Sequence, residues 1–113
     1  MKISIITVTF NSEKTVRTTL QSVASQSWHD IEHIIIDGAS SDSTLSIVNE
    51  FNHISMIVSE TDKGIYDAMN KGIKKATGNI VGFLNSDDWY DNNHILKEIA
   101  EEFMENDLDA VYG

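Results

Sequence analysis

The chain has no cysteine and no proline in its 113 residues. Without cysteine it can build neither a disulfide framework nor a thiolate metal site, and a reducing compartment suits it. The lack of proline carries no functional reading. Basic residues are scarce: eight Lys and Arg stand against eighteen Asp and Glu, a formal net charge of -10. So acidic a chain is a poor partner for a nucleic-acid polymer or an anionic membrane surface. Long hydrophobic runs are missing too. Lys2 and the short apolar stretch after it give way to Thr7, Thr9 and Asn11, too soon for a signal peptide or a spanning helix. The expectation is a cytoplasmic domain with no transmembrane segment, brought to the inner face of a membrane only through other regions or partners. No G-x-G-x-x-G follows the first apolar run, where Thr7 to Ser12 contain no glycine, and no P-loop lysine motif occurs. A dehydrogenase and a P-loop NTPase are thereby set aside. His29, His33, His53 and His94 show no metal-ligand spacing, and they read as surface or satisfied residues.

What the chain does have is a regular alternation of strand and helix signals. Ile3, Ile5, Ile6 and Val8 predict a strand; Val16, Leu20, Val23 and Ala24 share one face of a helix that Asn11 or Ser12 would cap. Ile31 to Ile36 predict a second strand, followed by the polar turn Asp37 to Ser43 and a short helix carrying Leu45, Ile47, Val48 and Phe51. Met56 to Val58 give a third strand, Ser59 to Gly64 a connection, and Ile65 to Ala76 a helix closed by Gly78. Ile80 to Leu84 give a fourth strand, and a helix capped by Asp91 or Asn92 presents Ile95, Ile99 and Phe103. Asp109 to Gly113 resemble the beginning of another strand. Apolar strands separated by helices imply an α/β fold, with a parallel sheet covered on both faces and right-handed crossovers.

In such a sheet ligands bind outside the carboxyl ends of the strands. Here those ends are Thr9-Phe10-Asn11, Asp37 to Asp42, Ser59 to Lys63, and Asn85-Ser86-Asp87-Asp88. All four are polar, which predicts one shared pocket. The adjacent carboxylates of Asp87 and Asp88, at the mouth of a buried strand, are costly unless a cation or donor meets them. Their oxygen chemistry suits Mg2+ or Mn2+, and such an ion would let an acidic protein hold a diphosphate. Capping of the next helix is the plainer use of either one. Asp37, before Gly38, could accept an N–H from a base or a ribose hydroxyl, or simply form a turn. Asp42 reads as a helix cap. Phe10 is placed to stack on a base or to pack in the core, and Lys63 to meet a phosphate or stay solvated. Trp89 and Tyr90 suit an acceptor pocket or plain packing.

With these residues in hand, the chain resembles the amino-terminal half of the family 2 glycosyltransferases. Three ordered segments carry the resemblance: Ser4 to Asn11, His33 to Thr44, and Gly78 to Asp88. It implies a Rossmann-like three-layer sandwich with a mainly parallel sheet of the GT-A type, truncated, with residues 1–113 forming the nucleotide-sugar-binding part. It implies an inverting transfer from a UDP- or GDP-type sugar donor to a glycan or lipid-linked acceptor hydroxyl, in cell-surface or exopolysaccharide biosynthesis. By this resemblance Thr9, Phe10 and Asp37 hold the nucleoside, Asn85 and Ser86 lie by the ribose, and Asp87, with Asp88 its neighbour, reaches Mn2+ or Mg2+. Two positions depart from the pattern: Asn85 stands where the family's Asp-x-Asp begins, and Met69 replaces an arginine before Asn70. Lys63 is the candidate for the missing positive charge. The family's catalytic base falls beyond Gly113, so these residues alone are expected to bind donor and metal without turnover. A non-catalytic nucleotide-binding or protein-interaction module on the same scaffold is the competing expectation.

Overall fold

In a computed structural model the described residues are 1–106, and the strand signal at Asp109 to Gly113 lies outside them. Four strands and four helices alternate: β1 (Ile3–Thr9), α1 (Val16–Ala24), β2 (Ile31–Asp37), α2 (Thr44–Val48), β3 (Ile54–Ser59), α3 (Ile65–Lys75), β4 (Ile80–Phe83) and α4 (Ile95–Asn106). The sheet is wholly parallel in the order β3-β2-β1-β4. β1 and β2 are central and apolar on both faces, as strands buried between layers must be. No described helix is long and apolar enough to cross a membrane.

Side-chain alternation sorts β1 and β2 between two helical layers. On one face Ile3 and Ile5 pack with Val23, Leu96, Ala100 and Phe103, while Ile35 packs with Val16, Leu20 and Val48. On the other face Ile6, Ile34 and Ile36 meet Ala68 of α3. The two-face cover expected of the whole sheet holds only at its centre. Among the described residues α3 alone covers the second face, and a helix about 10 Å across spans roughly two strands spaced about 4.8 Å apart. Val81 and Phe83 on edge strand β4 are accordingly 41% exposed.

The helix-end expectations are corrected. Asn11 and Ser12 do not cap α1: the helix starts at Val16, and the backbone carbonyl of Ser12 takes the Thr15 and Val16 N–H groups. Their side chains are used across the molecule instead, Asn11 Oδ1 accepting the Ser41 N–H at 2.9 Å and Ser12 Oγ lying 2.8 Å from Ser86 Oγ. Gly78 does not close α3 in the left-handed conformation, which among the described glycines belongs to Gly64 alone. It is glycine because a β-carbon there would stand 2.8 Å from the Ser4 backbone nitrogen. Asp42 and Asn92 act just ahead of the helices and do not occupy the cap positions: Asp42 Oδ1 accepts the N–H of Thr44, the first residue of α2, at 2.9 Å while Ser43 holds the N-cap position, and Asn92 Oδ1 accepts the His94 N–H at 2.8 Å, one residue before α4 begins.

Candidate functional site

Beyond the carboxyl ends of the strands lies an open cavity of about 590 Å³, within the range of small-ligand sites. β1 supplies Thr9 and Phe10, the β3–α3 connection supplies Asp62 and Gly64, and the segment after β4 supplies Asn85, Ser86 and Asp87. The strand order reverses direction between β1 and β4, the place where parallel sheets open a crevice. Hydrogen bonds fix its walls. The Ser12–Ser86 hydroxyl contact joins the β1 and β4 loops, and Thr19 Oγ1 donates to the Ser86 and Asp88 carbonyls. Asn11 and Ala39 hold left-handed backbone, φ 46° and 60°. The Asn11–Ser41 bond and the Asn11 N–H to Ser40 Oγ bond at 2.9 Å tie those two turns together.

Of the eight residues singled out in the sequence, the cavity gathers five: Thr9, Phe10, Asn85, Ser86 and Asp87. Phe10 is 64% exposed, so it is a ring offered to solvent and not a core residue. Asp37 is different. It is fully buried, and both its oxygens are taken: Oδ1 by Thr9 Oγ1 and Ser40 Oγ at 2.6 Å each, Oδ2 by the Ser40 N–H at 2.8 Å and Ser59 Oγ at 2.9 Å. Burial pushes its pKa up, but the bonds from Ser40, Thr9 and Ser59 outweigh it and hold the carboxyl below its usual value. A carboxylate offers about four lone-pair sites, and here protein donors occupy all four; Asp37 is not among the residues that line the cavity. Lys63 and Asp88 are exposed and outside the cavity lining. Trp89 is exposed, while Tyr90 packs against the core of Ile3, Leu84 and Phe103. Burial raises its hydroxyl to about 12.

Asp62 was given no role in the sequence, although it lies in a polar strand end. The signal was Gly38: a residue without a side chain beside the pocket leaves room for another to reach in. A β-carbon at Gly38 would stand 3.3 Å from Asp62 Oδ2 and 3.4 Å from Phe10 Cδ1.

Among the described residues no three His, Asp or Glu side chains gather into a metal cage. Mg2+ or Mn2+ bound together with a nucleotide requires only one or two protein carboxylates, phosphate oxygens and water completing the shell. Asp87 is exposed on the cavity wall and can supply such an oxygen, with Asn85 two residues before it.

A parallel, Rossmann-like α/β sheet with its crevice at the β1 and β4 ends is the architecture of nucleotide-binding domains. The chain belongs to the glycosyl transferase family 2, whose family model matches residues 4–113. A PGL/p-HBAD biosynthesis glycosyltransferase of Mycobacterium bovis is 38% identical over 115 residues, spanning 97% of this chain and 45% of that protein. The chain thus spans less than half the length of this curated relative. The structure of S. aureus TarS residues 1-349 in complex with UDP-GlcNAc superposes with a TM-score of 0.86 at 33% identity, covering 93% of this chain and 32% of that 1-349 chain. A mannosyltransferase from Pyrobaculum calidifontis, solved with GDP-Man and Mn2+, matches with a TM-score of 0.82 at 23% identity over 90% of this chain and 32% of its own, a likeness of fold alone.

Proposed function

We propose that residues 1–113 form the donor-binding part of a glycosyltransferase that moves a sugar from a nucleoside-diphosphate donor to an acceptor hydroxyl. One observation carries this reading: a single cavity holds an exposed aromatic ring, Phe10, and an exposed carboxylate, Asp87, delivered by the two strands that flank the crevice. The ring provides a face for a base to stack on. The Asn85 and Ser86 side chains offer hydrogen bonds to the ribose. Asp87, with Asp88 beside it in sequence, is the residue to hold a divalent ion, Mn2+ or Mg2+. When bound, that ion offsets the charge of the departing diphosphate. Asn85 in place of a second carboxylate lowers the negative charge at this end, so binding of the ion depends more on the nucleotide's own phosphates. Support also comes from the UDP-GlcNAc complex of TarS, which is similar over nearly all of this chain.

The acidic surface agrees with a small donor, not a nucleic-acid polymer. The proposed acceptor is a glycan or lipid-linked hydroxyl, the proposed setting cell-surface polysaccharide or glycolipid assembly at the cytoplasmic side, and the proposed stereochemistry inversion. Inversion requires a general base to take the acceptor proton as the hydroxyl attacks the anomeric carbon in line; that base is assigned to sequence outside this chain.

Calorimetric titration of UDP and GDP with and without Mn2+ tests the reading. Tighter binding with Mn2+, lost in Asp87→Ala, is the expected result. Absence of metal-dependent affinity for either nucleotide overturns it in favour of a non-catalytic module.

A further inference from the structure

The segment that carries Asp87 is fastened by polar side chains at helical spacing: Thr19 and Ser22 of α1, and Gln26 just past its end. Ser22 Oγ accepts the Tyr90 N–H at 3.1 Å, while Gln26 donates to the Asn92 carbonyl at 2.8 Å and accepts the Leu96 N–H at 3.1 Å. Thr19 differs in what it holds. Its hydroxyl donates to the carbonyl of Ser86, at 3.0 Å, and to that of Asp88, the residues on either side of Asp87. The Asp88 N–H bonds in turn to the Asn85 carbonyl at 3.0 Å, closing a four-residue turn with Ser86 and Asp87 at its centre. Thr19 is fully buried and Asp87 is exposed on the cavity wall, so the hydroxyl holds this turn from inside the protein and meets no ligand itself.

We infer that Thr19 is a positioning residue for the metal-binding carboxylate: by holding the peptide groups before and after Asp87 it fixes where that side chain leaves the turn, and so raises the affinity for Mn2+ or Mg2+ carried by the nucleotide. The inference rests on the donor-binding reading, in which Asp87 is the metal residue. Two features make the placement matter in this chain. Asn85 leaves Asp87 without a second acid two residues before it, and the charge of Asp88 beside it repels Asp87 whenever no cation is bound. A turn free to relax lets the two carboxylates move apart, and metal binding must then restore the position of Asp87, which a functional group needs to within about 0.5 Å. A turn tied to α1 is ordered beforehand, so less of the binding free energy is lost to ordering it. The hydroxyl is the part that acts. Serine keeps it, whereas valine keeps the shape of threonine and loses the donor.

The test is the affinity of UDP and GDP, each with and without Mn2+, for the chain, Thr19→Val, Thr19→Ser and Ser22→Ala, the folding of each variant being checked by its melting temperature. The quantity read is the ratio of the affinity with Mn2+ to the affinity without it. Thr19→Val should lower that ratio by roughly 10- to 100-fold, the loss common when the partner that orients a metal ligand is removed. Thr19→Ser should keep it within about threefold of the wild type, since the donor is retained. Ser22→Ala removes a bond to Tyr90, outside the turn, and should lower the melting temperature while leaving the ratio unchanged. If valine prevents folding, Thr19→Ala, which removes the hydroxyl without crowding the two carbonyls, carries the same expectation. An unchanged ratio in Thr19→Val, an equal loss with and without Mn2+, a Thr19→Ser ratio as low as that of Thr19→Val, or an equal fall in Ser22→Ala overturns the inference while leaving donor binding intact. A wild type with no Mn2+-dependent affinity for either nucleotide overturns both.

Discussion

Thr9 and Asp37 are partners twice over: they face each other in register across β1 and β2, and Thr9 Oγ1 donates to Asp37 Oδ1 at 2.6 Å. With Ser40 and Ser59 completing the carboxylate, this one side chain ties together the ends of three neighbouring strands. It is a buried charge made tolerable by four short bonds, and such groups are costly to disturb.

Asp37→Asn keeps the volume but removes the charge and sets an amide donor among donors. The expected loss is about 2–4 kcal/mol, read as a fall in melting temperature of roughly 10 °C or more for a domain of this size. The acid limb gives a separate signature. The folded pKa lies below the ordinary value, so the unfolded chain takes up the proton first as pH drops below about 4. The Asp37 contribution is therefore present above that range and lost as pH falls through the folded value. Wild-type and Asp37→Asn melting temperatures should converge in strong acid; a constant gap down to low pH removes the charge from the account.

His33 predicts an acid sensitivity at higher pH. It is fully buried, with Nε2 2.8 Å from Thr7 Oγ1 and Nδ1 2.9 Å from Nε2 of His53. Two neutral imidazoles satisfy this chain in either proton direction; a proton added to His33 leaves two donors that Thr7 and His53 can accept, so burial and not a lost hydrogen bond opposes the charge. Burial, reinforced by the charge of His53, pushes His33 down to about 3; burial also lowers His53. Below about pH 6.5 the unfolded histidine binds a proton that the folded one refuses, so stability falls with falling pH, by up to about 1.4 kcal/mol per unit for each such group. The His33 part of this slope ends near pH 3, where the folded protein also accepts the proton. Denaturant midpoints between pH 7 and 4 should drop more steeply in the wild type than in His33→Gln. Parallel curves exclude His33 as the source.

Phe10 separates binding from folding. Its ring is mostly exposed, so Phe10→Ala should leave the melting temperature within about 2–4 °C, the range set by surface substitutions of up to 0.5 kcal/mol. The same change should weaken UDP or GDP by roughly 5- to 100-fold, the span of one aromatic–base stack. A destabilised variant, or one with unaltered nucleotide affinity, places the ring outside the binding surface.

The order and type of all eight elements were legible because each apolar run was bounded by polar strand ends, as at Ile31–Asp37 and Ile80–Leu84. The cavity residues Thr9, Phe10, Asn85, Ser86 and Asp87 were legible for the same reason: carboxyl ends of parallel strands converge. What sequence could not reveal was which acids spend their lone pairs on the protein. Asp37 and Asp62 look alike as loop carboxylates, and only the placement of Ser40, Ser59 and Thr9 around one, and of empty space at Gly38 beside the other, tells them apart. The α1 cap was misplaced because Asn11 and Ser12 are suitable capping residues that long-range partners, Ser41 and Ser86, claim instead.

Gly72 gives a test of the packing that holds α3 on the sheet. In the interior of a helix, Gly→Ala is ordinarily worth up to about 1 kcal/mol of added stability. Here a β-carbon would stand 2.5 Å from Ile6 Cγ2 and 3.1 Å from Ile6 Cγ1. Ile6 is buried in the central strand and stiff at its branched β-carbon, so it cannot swing aside. Overpacking of about 1–3 kcal/mol should exceed the propensity gain, and Gly72→Ala should lower the melting temperature. Ile6→Ala alone should cost about 2–5 kcal/mol by leaving a cavity. In that background Gly72→Ala should become neutral or stabilising, because the atoms it struck are gone, and the double-mutant cycle should show a favourable coupling. A Gly72→Ala variant more stable than the wild type would mean that α3 can rise from β1 at little cost, and that the close contact at Gly72 does not fix the helix in place.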